Sequence, residues 1–92
     1  MKADVVAAIH AAMRADVVAA IHAALRRVAP ELDPAAVDPR AVLVEALDID
    51  SIDYLTFLEH LGRDVGVGFP EVDYPQLRTV EQIAAYVRAH AG

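Results

Sequence analysis

From Asp50 to Val65 the apolar residues return every three or four positions, a spacing that suits one face of a helix and no strand. At about 100° per residue, Tyr54, Phe57, Leu58, Leu61 and Val65 fall on one stripe, which is the predicted core face. Asp50 is placed to cap the first turn, where a carboxylate accepting an orphan backbone N–H contributes about 1 kcal/mol. Asp53, three residues on, gives a capping-box-like start and sets a negative charge at the positive end of the dipole. Ser51 becomes the first helical residue. The helix is predicted over residues 51–64, with Gly62 as a weak point in its last turn. Ile52 and Leu55 lie off the stripe, beside Ser51. They form either a small exposed contact surface or a patch that loops cover, and periodicity alone does not choose.

The rest of the chain supplies helices to pack against this one. Val80, Ile83, Ala84 and Val87 recur at i, i+3, i+4 and i+7, with Thr79 as cap, Gln82 completing a Thr-x-x-Gln box, and Tyr86 at the flank. Upstream, Val17, Val18, Ile21, Leu25 and Val28 are the predicted stripe of a first helix that Pro30 ends. That helix lies in a tandem repeat: Ala3–Ala12 and Ala15–Ala24 are identical, each preceded by Met and a basic residue. A twelve-residue step turns an apolar face by about 120°, so both copies cannot serve one core. The second copy joins the rest directly and is taken as structural. Residues 1–12 are then a duplicated segment, an artefact or a helix extension, ahead of a domain over 13–92.

Residues 31–50 form a long connection punctuated by prolines. Asp33-Pro34 and Asp38-Pro39 resemble cap-plus-N1 pairs, and Arg40–Leu47 has room for a turn or two of helix with Leu43 and Leu47 inward. Gly66 and Gly68 punctuate the exit of the central helix. Glu71–Leu77 is a short helical segment that Pro75 limits to about a turn, anchored by Tyr74 and Leu77. Val65–Phe69 alternates briefly, but its glycines argue for a loop. The expected fold is all-α: three main helices and one short one, with a long first loop.

The 92 residues suffice for one small domain, which buries only about 60% of its unfolded surface. The net charge of −6 argues against nucleic acid and anionic membrane and favours partners with basic docking surfaces. No apolar run has the length of a membrane span. Lys2, Asp4, His10 and Arg14 leave no signal-peptide core, so a cytoplasmic setting is expected. The absence of cysteine excludes disulfides and thiolate metal sites.

The means for catalysis are poor. His10, His22, His60 and His90 include no pair at i,i+3 or i,i+4, so no helical zinc pair is indicated. Asp48, Asp50 and Asp53 lack the spacing and glycine of an EF-hand loop. There is no Gly-x-Ser-x-Gly elbow and no P-loop. No catalytic residue, no metal site and no enzyme activity is expected.

Asp50-Ser51-Ile52, the acidic Asp53 after it, the apolar helix that follows and the spacing to the Thr79-capped last helix together resemble the acyl carrier protein family. The resemblance covers roughly Arg14 to His90. It implies a small four-helix bundle and a covalent 4′-phosphopantetheine on the Ser51 hydroxyl, transferred from coenzyme A by a phosphopantetheinyl transferase. The arm's thiol would then hold an acyl group as a thioester for loading and transferring enzymes. On this resemblance Asp50, Ile52 and Asp53 flank the attachment point and meet the transferase and client enzymes. Leu55, Thr56, Glu59 and Arg63 extend that surface. Two departures stand out. The outward arc carries Thr56, Glu59, His60 and Arg63 beside Ile52 and Leu55, which dilutes the acidic face of fatty-acid carriers and shifts weight to a dedicated pathway. Leu47-Asp48-Ile49 also lacks the Gly-Gly common before the serine of peptidyl carriers, which favours acyl or polyketide cargo. The alternatives are a peptidyl carrier and an unmodified helical interaction module that docks through Ile52 and Leu55. A monomer is expected, with the repeat as a route to self-association.

Overall fold

The computed structural model describes residues 16–90, and the first repeat copy lies outside them. Among these residues four α-helices carry the architecture: α1 over 16–28, the single-turn α2 Leu43–Ala46, α3 Ser51–Val65 and α4 Val80–His90. Two 3-10 segments, Pro34–Ala36 and Glu71–Gln76, sit in the connections. No strand occurs among the described residues. No helix among them is long and apolar enough to cross a membrane.

The three long helices contribute one face each to a single core. α1 gives Ile21, Ala24 and Leu25; α3 gives Phe57, Leu58 and Leu61; α4 gives Val80, Ile83, Ala84 and Val87. Val18, expected on the α1 stripe, is 36% exposed instead, and Ala24 is sealed. The stripe runs Val17, Ile21, Ala24, Leu25, Val28, because α1 turns its small residue toward its neighbours. α1 closes with the Ala29 N–H on the Leu25 carbonyl at 2.9 Å, and Pro30 cannot extend the ladder.

The long loop is anchored rather than slack. Leu43 and Leu47 are buried one helical turn apart, as expected, and Pro34 is buried beneath the first 3-10 turn. Asp33 caps that turn by accepting from the Ala35 N–H. Asp38-Pro39, the second expected cap pair, makes only a turn in which the Asp38 side chain takes the Arg40 N–H at 2.9 Å. Two long-range backbone bonds tie this loop to the entry of α4: Leu43 N–H to Arg78 C=O and Glu81 N–H to Pro39 C=O, each 2.9 Å.

Pro75 does not confine its segment to one turn. Glu71–Gln76 winds through six residues as 3-10 helix, whose i→i+3 bonding accommodates the proline. Leu77 is fully buried after it and Tyr74 half-buried within it, the two expected anchors. At α4, Thr79 Oγ1 accepts the Gln82 N–H at 3.0 Å as predicted. The Gln82 side chain accepts the Arg78 N–H, one residue beyond the cap, so the reciprocal bond to the Thr79 N–H is not made. Tyr86 is buried rather than flanking, and its hydroxyl donates to Asp73 Oδ2 at 2.7 Å.

Candidate functional site at the start of α3

Asp50 is extended (φ −81°, ψ 172°) and its Oδ1 accepts the Asp53 N–H at 2.7 Å, so α3 begins as the sequence implies. The Tyr54 N–H bonds to the Asp50 carbonyl. Of the four orphan amides of this helix start, only that of Asp53 is paired, and those of Asp50, Ser51 and Ile52 have no acceptor among the described residues. Ser51 is exposed in the first turn. Its hydroxyl stands in solvent beside two open N–H groups and the positive end of the dipole, which leaves room for a phosphate ester and favours its charge. The carboxylates of Asp50 and Asp53 oppose it, although one oxygen of Asp50 is committed to the cap.

Asp48 leads into this start at φ 51°, the left-handed region that most side chains avoid. An aspartate tolerates it better than most residues, and the kink turns the chain from the buried Leu47 into the cap.

The flanking residues divide by face. Ile52 is 72% and Leu55 40% exposed, so no loop covers them. Asp50, Asp53, Glu59 and Arg63 are exposed as well. Thr56 is half-buried and its hydroxyl returns to the Ile52 carbonyl at 3.1 Å, so it presents mainly its methyl group. His60 does not belong to the outward arc. It turns to α1, where its Nδ1 lies 3.3 Å from the Arg27 guanidinium, which also sits 3.8 Å from Asp64.

Tyr54, expected only as part of the core stripe, has a second task. Its hydroxyl donates to the Leu77 carbonyl and so ties α3, one turn from Ser51, to the segment before α4. Burial pushes this phenol well above its ordinary range, and the nearby Arg78 opposes that only in part. Beside it lies a cavity of about 350 Å³ with a mainly apolar lining that includes Val42, Val44, Tyr54, Tyr74 and Pro75, with Arg78 at its edge. Neither feature was legible in the sequence, because the pairing spans 23 residues. No group of acidic or histidine side chains among the described residues is placed to hold a metal ion.

A family model described as the phosphopantetheine attachment site matches residues 17–87. The chain belongs to the acyl carrier protein family. Among curated relatives, an acyl carrier protein of Lactobacillus acidophilus is 27% identical over 62 residues, which is 67% of this chain and 78% of the relative. A meromycolate extension acyl carrier protein of Mycolicibacterium aurum is 33% identical over 57 residues, 62% of this chain and 59% of its own length. No solved structure matches significantly. The carrier's cofactor is therefore 4′-phosphopantetheine. Members of the family work with phosphopantetheinyl transferases and biosynthetic enzymes.

Proposed function

We propose that Ser51 is the attachment residue and that the carrier tethers acyl intermediates there as thioesters for biosynthetic enzymes. The observation that carries this is an exposed serine hydroxyl in the first turn of α3, within the matched span and beside two unpartnered N–H groups. The bound arm supplies the thiol that holds the acyl group. The chain supplies the rest: an accessible oxygen, a capped helix that fixes its direction, and a surface by which enzymes find it. On transfer, the Ser51 oxygen bonds to the arm's phosphorus, the adenosine bisphosphate half of coenzyme A leaves, and the serine proton passes to the transferase. Nothing in the chain needs to activate Ser51.

Asp50, Ile52 and Asp53 meet the transferase and the client enzymes, and Leu55, Thr56, Glu59 and Arg63 carry that surface along α3. The mixed character of this face, with Arg63 among its acids and two exposed aliphatics near the serine, favours a dedicated pathway over bulk fatty acid synthesis. A relative named for meromycolate extension points the same way. The apolar cavity beside Tyr54 supports acyl or polyketide cargo over aminoacyl cargo. We place the carrier in the cytoplasm as a monomer, and read residues 1–12 as a duplicate outside the carrier domain. The exposed Ile52 and Leu55 also suit an unmodified interaction module, the competing reading.

Weighing the intact protein after incubation with coenzyme A, Mg²⁺ and a broad-specificity transferase separates the two. The carrier gains one phosphopantetheinyl mass, and Ser51→Ala gains none. No added mass, or addition that survives Ser51→Ala, refutes the assignment.

A further inference from the structure

We propose that the seat filled by α1 has a second occupant in the same chain: residues 4–16 can take the place of residues 16–28, with residues 17–28 looped out. The seat is defined by the face that α1 buries. Ile21, Ala24 and Leu25 are sealed in the core shared with α3 and α4, and Val17, Ala20 and Val28 pack at its margin. Twelve positions earlier the sequence offers the same face. Val5, Ala8, Ile9 and Ala12 are identical to Val17, Ala20, Ile21 and Ala24. Met13 stands for Leu25, a swap of similar volume that cores tolerate well.

The angular offset between the copies does not stand in the way. It bars the two from serving one core together as a continuous helix. A slip by one whole repeat moves each residue into the seat of its own counterpart, so nothing turns about the helix axis. Downstream, Ala29 and Pro30 stay where they are. The looped segment begins and ends at neighbouring points of the chain, and the entropy of closing such a loop grows only slowly with its length.

Three differences rank the two registers. Asp16 would bring a carboxylate to the place where the half-buried Val28 packs, and a charge there must give up water. Ala15 cannot replace Arg27, whose guanidinium lies 3.3 Å from His60 Nδ1 and 3.8 Å from Asp64. The loop is an added cost. All three fall at the C-terminal foot of the seat. Over residues 16–24 the seat receives the same side chains in either register. The second copy is therefore the preferred occupant, and the first is a spare that takes over when the second is spoiled.

The test uses the isotope-labelled full-length chain and substitutions in each copy. Ile9→Asp leaves the melting temperature of the parent unchanged. Ile21→Asp, which sets a carboxylate in a fully buried site, still melts cooperatively but below the parent. In that variant residues 17–28 lose their helical chemical shifts, residues 4–16 show them, and α3 and α4 keep theirs. The double variant Ile9→Asp/Ile21→Asp has no cooperative transition. Asp16→Val, which restores valine at the mismatched foot, raises the melting temperature of Ile21→Asp. It does not raise that of the parent, where Asp16 is an exposed acid at the favourable end of α1. An Ile21→Asp chain that is unfolded with and without Asp16→Val would overturn the proposal, as would a folded double variant or helical shifts that stay at 17–28. A loss of stability in Ile9→Asp alone would overturn it too, by marking residues 1–12 as an outer extension of α1. The measurement uses neither arm nor transferase, so its outcome is independent of the mass gain at Ser51.

Discussion

Replacing Gly62 by alanine sets two effects against each other. By helix propensity alone the change stabilises, since alanine in a helix interior is favoured over glycine by about 1 kcal/mol. In the folded chain, however, a Cβ at this position would lie 2.9 Å from the Val67 carbonyl oxygen and 3.5 Å from the Phe69 ring. The ring can shift; the carbonyl has little freedom. The Val67 and Gly66 N–H groups both bond to the Gly62 carbonyl, at 3.1 and 2.9 Å, and Gly66 closes the helix at φ 70°. Overpacking of this kind costs about 1–3 kcal/mol, so the balance is a net loss of about 1 kcal/mol. In a domain of this size that lowers the melting temperature by about 4–8 °C. Thermal and urea unfolding measure it, with the other two exit glycines as internal standards. Gly66→Ala meets no atom within 4 Å but must hold a positive φ, and loses about 1 kcal/mol through conformation alone. Gly68→Ala meets neither obstacle and stays within about 0.5 kcal/mol of the parent. A Gly62→Ala protein that melts higher than the parent would refute the close approach of the exit loop to α3.

Tyr54→Phe leaves the Leu77 carbonyl without its donor and lowers stability by about 1–2 kcal/mol in urea unfolding. The Tyr54 phenol is raised above its unfolded value, so its contribution is complete below about pH 10 and is lost as pH rises toward the folded pKa; the alkaline decline is shallower in Tyr54→Phe. An unchanged alkaline limb would assign that decline to other groups. The Tyr86 phenol is also raised, chiefly by its hydrogen bond to Asp73, so Asp73→Asn shifts a phenolate absorbance titration to lower pH, and an unmoved curve would refute the bond. Asp50→Ala removes the α3 cap and costs about 1 kcal/mol by denaturant titration. Ile52→Ala and Leu55→Ala leave the melting temperature nearly unchanged while lowering the transferase's kcat/KM; a large loss of stability instead would mean that these side chains belong to the fold.

How much could be read in advance depended on the range of the interaction. The start of α3 was legible to the residue, because its cap is a local bond between Asp50 and Asp53 and its stripe follows from a fixed turn angle. The same holds for Leu43, Leu47 and the α4 stripe. Val18 was misplaced because two adjacent valines compete for one face, and only the neighbours decide which is buried. His60 was misplaced for the same reason: its partner, Arg27, is on another helix. Gly62 looked like a weakness of α3 because propensity is blind to a loop that folds back over the helix. The Tyr54–Leu77 bond and the cavity beside it both require segments distant in sequence to meet.

The two backbone bonds that join residues 39 and 43 to 81 and 78 have a mechanical consequence. They stitch the loop ahead of α3 to the threshold of α4, so that the parts of the chain on either side of the central helix move as one frame. A protein pressing on α3 pushes against that frame rather than sliding it. Residues 71–76 are wound in a tighter helix with poorer bonds and are moored through the Tyr86 hydroxyl. Through Tyr74 and Pro75 that strip also forms one wall of the cavity beside Tyr54.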